Sequence, residues 1–171
     1  HGTPNYDENG TVAFINGNNL IDGRISINNR TLFVNETEAK KHKKKLGENT
    51  VLFSINGTLG KTAIYKNENI ILGKSACYCN TNNEFLKVIY VERLMRTNFF
   101  KEFLEESASK STIKNVGLKT IRNYNIPLPP LPLQQEFAKK IEAIEKQKEL
   151  IKRSIGEVET LLASRMQEYF E

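Results

Sequence analysis

Residues 126–133 read IPLPPLPL, and no other stretch restricts the fold of this chain as strongly. Pro127, Pro129, Pro130 and Pro132 fix φ and remove backbone donors, so the segment must be extended and cannot continue a helix. It is a stiff hinge between a segment 1–125 and a segment 134–171. Charge divides at the same place. Residues 1–133 carry 18 Lys+Arg against 12 Asp+Glu, a net of +6, whereas residues 134–171 carry 7 against 8, a net of −1. A basic part followed by a near-neutral one implies different partners for the two.

The segment from Gln134 to Glu171 contains no proline and one glycine, and predicts a helix about 57 Å long at about 1.5 Å per residue. With Ile141 at position a, the a/d seam collects Phe137, Ile141, Ile144, Ile151, Ile155, Val158 and Leu162, with Tyr169 at its end. So narrow an apolar stripe suits another helix better than a sheet, which makes this a coiled-coil spacer or dimerisation helix. The alternative is a helix laid against its own globule. Lys148 and Arg165 also fall on the seam, where charge costs stability and can fix register. Gly156 weakens the helix by about 1 kcal/mol relative to Ala and permits a bend or a close approach.

Ahead of the hinge, short β-rich runs (Thr11–Ile15, Thr31–Val34, Thr50–Ile55, Thr62–Tyr65, Asn69–Leu72, Ser75–Cys79) alternate with Asn and Gly. They predict a compact mixed sheet. Apolar residues at helical spacing from Glu84 to about Glu105 predict one amphipathic helix packed on it. Residues 107–117 read as a loop and Leu118–Arg122 as a short helical turn. The fold class is therefore α+β, a mixed-sheet globule followed by a long helix. No apolar run approaches the roughly 18 residues of a membrane span, and the polar start lacks a signal-peptide core, so a cytosolic protein is expected. The first residue is not Met, which leaves a trimmed start open.

Several patterns imitate catalytic chemistry. Gly57-Thr-Leu-Gly60-Lys61-Thr62 ends like a phosphate-binding loop, but the first glycine of that motif would stand at 55, where the chain has Ile55; a hairpin turn is the better reading. Asp22 with Glu38 and Lys40 mimics the acid and acid-x-Lys set of metal-dependent nucleases. Glu38 and Lys40, however, open the run ETEAKKHKKK, which reads as a solvated face. Cys77 and Cys79 share one face of a predicted strand, match no zinc spacing, and have no ligand partner in His1 or His42. No GxSxG elbow is present. Neither a metal nor a cofactor is expected.

What remains is a basic globule with loops full of amide, hydroxyl and cationic side chains, the groups that bond base edges and phosphates. The candidate DNA contacts are Asn16, Asn18, Asn19 and Arg24; Lys43 and Lys44 of the basic run; Ser54, Asn56, Thr58 and Lys61; Lys74; and Ser111 and Lys114. Each loop taken singly is also readable as an ordinary polar turn, and the lysine run as a solubilising face.

The ordered set Gly2-Thr3-Pro4, Phe14-Ile15-Asn16-Gly17-Asn18-Asn19-Leu20, Thr50–Ser54 leading into Gly57–Ile64, Leu118–Ile121, the proline segment and Gln134-Gln135-Glu136-Phe137-Ala138 resembles the specificity subunits of type I restriction-modification systems. The helix start departs slightly from the family's "EQ-x-I-A", with Gln134 for Glu and Phe137 for Ile. The resemblance implies a non-catalytic module that grips double-stranded DNA, reads one half-site of a bipartite target, and mounts it on a helical spacer. It also implies docking to adenine-N6 methyltransferase subunits, which use S-adenosylmethionine, and to an ATP-dependent restriction subunit, with neither cofactor held by this chain. Full-length members usually carry two recognition domains and two helices, and this chain has one of each.

Two copies pairing their seams antiparallel would place identical globules at opposite ends and read an interrupted palindrome. A fragment paired with a different helix, a parallel pair, the recognition domain of a single-chain restriction-methyltransferase, and a coiled-coil interaction protein that binds no DNA are the competing readings.

Overall fold

The structure, a computed structural model, describes residues 2–170; His1 and Glu171, which end the segments read above, lie outside the described residues. After Leu131 the chain divides into two compact units. In the first, β1 (Val12–Ile15), β2 (Leu20–Ile21), β3 (Arg24–Ile25) and β4 (Leu32–Val34) precede α1 (Glu36–His42). They are followed by β5 (Thr50–Ser54), β6 (Thr62–Ile64), β7 (Ile70–Leu72), β8 (Ala76–Asn80), α2 (Val88–Met95), α3 (Asn98–Ser107) and α4 (Leu118–Arg122). The second unit is built from α5 (Leu131–Phe170). This is the α+β globule and long C-terminal helix that the sequence predicts.

β1 lies between antiparallel β4 and parallel β7, and β5 between antiparallel β6 and β8. The small β2–β3 hairpin joins β6 through a parallel bridge between Gly23 and Ala63. All five residues of β5 are buried, which is why TVLFS lacks the polar alternation of a half-exposed strand. Val51 and Phe53 pack with Val91, Met95, Phe100 and Leu104. Leu52, on the opposite face, packs with Ala13, Ile15, Leu20 and Ala63. β5 is thus the shared wall of two cores.

Two expectations are corrected. The predicted single helix over 84–105 is two helices, because Thr97 is extended and caps the second. Its Oγ1 accepts from the Phe100 amide at 3.3 Å and donates to the Leu94 carbonyl at 2.7 Å, a local bonding pattern that competes with continued helix. α5 begins at Leu131 rather than Gln134. Pro132 thereby falls in the first turn, where amides have no helical partner and proline's missing N–H removes nothing.

α5 runs unbroken through Gly156, and a Cβ there would meet nothing. Ile144, Ile151, Ile155, Val158 and Leu162 are exposed along it, as are Phe137 and, beside the seam, Leu161 and Met166. Ile141 is half-buried. The charged seam residues have partners on the helix itself, Lys148 with Glu145 at 3.2 Å and Arg165 with Glu168 at 2.7 Å.

Candidate nucleic-acid interface

A cleft of about 1120 Å³ opens on the first unit. Its floor is the apolar face around Phe53, Ile55, Met95 and Phe100, with Cys77 and Cys79 of β8 beside them. Burial pushes both thiols above their ordinary range, which favours the neutral form over the thiolate. Around the rim stand Gly2–Pro4, Tyr6, Asn16, His42, Lys44, Asn56, Lys74, Ser75, Tyr78, Asn115 and Arg122. Lys44, Lys74 and Arg122 are among them, and no Asp or Glu is among the described lining residues. One sign of charge over a low-dielectric floor focuses a field that attracts anions.

Two of the segments that resemble the specificity family, Gly2–Pro4 and the Phe14–Leu20 loop, contribute to this rim. The N-terminal strip is held by the Asn5 amide donating to Glu38 Oε1 at 3.3 Å, by the Asp7 amide donating to the Phe33 carbonyl at 2.9 Å, and by Tyr6 set edge-on to Phe14. In the Phe14–Leu20 loop, Asn16 Oδ1 accepts from the Asn18 amide at 2.9 Å and Asn19 Oδ1 accepts from the Asn16 amide at 3.1 Å, a reciprocal cap. Gly17 lies so close to Ser54 that a Cβ would come within 2.9 Å of the Ser54 Cβ, and its amide donates to Ser75 Oγ at 2.9 Å. A larger residue would push the two loops apart.

The β5–β6 connection is the expected hairpin turn. Gly57 and Gly60 take φ of 74° and 73°, the left-handed region that glycine enters without strain. The Ser54 hydroxyl donates to the Thr58 carbonyl at 2.6 Å and accepts from the Lys61 amide at 2.9 Å, while the Gly60 amide donates to the Ser54 carbonyl at 3.0 Å. Amides that would cradle a phosphate are spent on the turn itself.

Of the predicted contact residues, the cleft gathers Asn16, Lys44, Asn56 and Lys74. Two are turned inward and are corrected to structural roles. Ser54 is 0% exposed, with its hydroxyl committed to the turn; Asn19 is buried, and its Nδ2 donates to the Ser26 carbonyl and Thr31 Oγ1. Asn18, Arg24, Lys43, Thr58 and Ser111 are exposed away from the cleft lining, and Lys61 is half-buried there. Lys114 is paired with Glu105. The sequence marks Asn115 only as the end of the polar segment from Ser111, and it does not single out Arg122 or Tyr78; the three reach the cleft because the 107–117 loop, α4 and β8 converge on it.

The imitated nuclease set is dispersed. Asp22 faces Arg96 at 3.5 Å, whereas both Glu38 oxygens are engaged by Lys41 at 2.7 Å and by His42 at 3.2 Å and Asn5. No group of three metal-ligating side chains occurs among the described residues. Nor is any helix among the described residues long and apolar enough to cross a membrane.

The family model for the type I restriction modification DNA specificity domain matches residues 3–160, and this chain belongs to that family. Among solved structures it is similar to one described as the structural basis underlying complex assembly and conformational transition of the type I R-M system. That match has 20% identity and a TM-score of 0.61, over 83% of this chain and 37% of that one. It is also similar to the HsdS subunit from Thermoanaerobacter tengcongensis, at 19% identity and a TM-score of 0.61, again over 83% and 37%. The S subunit from M. genitalium matches at 17% identity and a TM-score of 0.56, over 82% and 33%. The chain therefore spans about a third of the length of the subunits it matches.

Proposed function

We propose that the first unit reads one half-site of a bipartite DNA target, and that α5 pairs with a second helix to set the distance to the other half-site. The observation that carries this is the cleft, in which Lys44, Lys74 and Arg122 are gathered with no acid among the described lining residues, in a chain that has 20 acidic residues to place. Phosphates are held by the cations, and base edges by the amides and hydroxyls between them. Lys43, Lys61, Arg24 and the Ser111 loop serve as outlying phosphate anchors. Family membership supports docking to methyltransferase and restriction subunits, which supply the chemistry; the chain itself is a non-catalytic, cytoplasmic recognition component. A homodimer through the α5 seam gives the antiparallel arrangement that suits an interrupted palindrome.

The test is duplex binding across a salt series. Each phosphate that is no longer neutralised by the protein makes the slope of log K against log[salt] shallower by about 0.9. Lys44→Ala, Lys74→Ala and Arg122→Ala together are expected to flatten it by roughly 2–3, while Lys114→Ala, whose charge is already paired, moves it little. An unchanged slope in the triple variant would remove the cleft as the DNA surface.

A further inference from the structure

Asn56 and Asn115 stand opposite each other across an isolated antiparallel bridge. The flanking bonds run from the Gly57 amide to the Lys114 carbonyl and from the Val116 amide to the Ile55 carbonyl, both at 2.9 Å. This makes them a non-hydrogen-bonded pair, the arrangement in which opposed side chains lie nearest, with Cα atoms about 4.5 Å apart. The outward groups of Asn115 are held by Ser109: its amide donates to Ser109 Oγ at 3.2 Å, and its carbonyl accepts from the Ser109 amide at 2.9 Å. Both asparagines line the cleft. Among the described residues neither carboxamide bonds to the protein, in contrast to Asn16, whose Oδ1 is spent on the cap.

We propose that Asn56 and Asn115 form a paired-amide reader that recognises two adjacent A·T pairs of the half-site, each through the major-groove edge of adenine. This rests on the DNA-reading function above. A carboxamide offers one donor and one acceptor side by side, which matches adenine N6–H and N7 and no other base edge as well. Fixing both residues on one bridge removes backbone freedom before binding, so little ordering cost falls on recognition. Lys44, Lys74 and Arg122 on the same cleft hold the flanking phosphates and set the register.

The experiment is selection of the full chain against a random duplex library, followed by affinities on the selected site. Wild type is expected to select adjacent A·T pairs. Asn56→Ala and Asn115→Ala are each expected to relax one of them, with a loss of roughly 5- to 150-fold on the selected site and unchanged salt slope. Asn56→Asp and Asn115→Asp keep the shape and remove the donor, so preference moves from adenine toward cytosine, whose N4 donates. Replacing adenine by 7-deazaadenine weakens wild type but adds nothing to the loss of the matching Ala variant; the wild-type arm does not depend on any variant folding. Full adenine preference in the Ala variants, indifference of wild type to 7-deazaadenine, or a loss uniform across sequences with a shallower salt slope would overturn the proposal. A wild-type chain that binds no duplex would instead overturn the DNA-reading function beneath it.

Discussion

Thr62 on β6 donates its hydroxyl to Glu92 Oε1 on α2 at 2.7 Å, and both residues are buried. Glu92 is only 1% exposed, and its oxygens also lie 3.3 Å from Arg93 Nε and 3.6 Å from Arg96 Nη1, while Arg96 reaches Asp22 in the β2–β3 turn. One carboxylate thus joins α2 to β6 and to the hairpin beside it. A buried polar group is tolerated only while its partners stay, so removing one partner costs more than the bond itself contributes.

Thr62→Val keeps the shape and deletes the donor. It is expected to lower stability by about 1–3 kcal/mol, the cost of leaving a buried acceptor short of a partner. Urea unfolding should show a lower midpoint at an unchanged slope; an unchanged midpoint would mean that the arginines alone suffice.

The same reasoning separates Ser54 from the residues around it. Ser54→Ala frees the Lys61 amide and the Thr58 carbonyl, so the β5–β6 turn loses two of its ties. Faster amide exchange at Lys61 is expected, together with a destabilisation of about 1–3 kcal/mol. If exchange at Lys61 stays at the wild-type rate, the glycine conformations and the Gly60 bond hold the turn unaided.

Ser54 also shows where the sequence stops being informative. The prolines of 126–133 and the a/d spacing after them are local signals, and they mark the break ahead of α5 and the long helix itself, though not that the helix starts at Leu131. Thr97, by contrast, stands inside an unbroken apolar periodicity; only its capping chemistry ends α2, and in RTNFF that signal is outweighed by the pattern around it. A hydroxyl between Phe53 and Ile55 could equally face a base or a turn, and only the pairing of β5 with β6 turns it inward. The cleft itself is legible in part. Asn16, Lys44, Asn56, Lys74 and Asn115 lie in loops marked by composition, whereas Arg122 and Tyr78 come from a helix and a strand brought to the rim by tertiary packing.

Glu38 gives a prediction on pH. Lys41 beside its carboxylate, followed by the Asn5 amide and His42, holds it below the ordinary glutamate range against the opposing effect of burial. A carboxyl lowered on folding contributes stability that is full above its unfolded value and is lost as pH falls through the folded one. Melting temperature measured down an acid series should therefore fall less steeply in Glu38→Gln than in wild type, with the difference confined to the acid side of that range. Parallel acid limbs would show that Glu38 holds the Asn5 strip without contributing to acid unfolding.

The exposed stripe on α5 yields the most direct test of assembly. Ile151 is 59% and Ile155 51% exposed, and Leu161 and Met166 widen the apolar face toward the C-terminal end, a contiguous exposed stripe of the kind that marks an interaction surface. Lys148 and Arg165 are neutralised by Glu145 and Glu168 on the same helix, so the seam meets a partner without stranded charge. Light scattering on the purified chain is expected to give twice the monomer mass. Ile151→Asp with Ile155→Asp should return it to the monomer, because the four carboxylates this adds to one seam cannot be desolvated together. A monomeric wild type, unaffected by those changes, would mean that the seam is built for a different helix, and that the second half-site is read by another recognition domain.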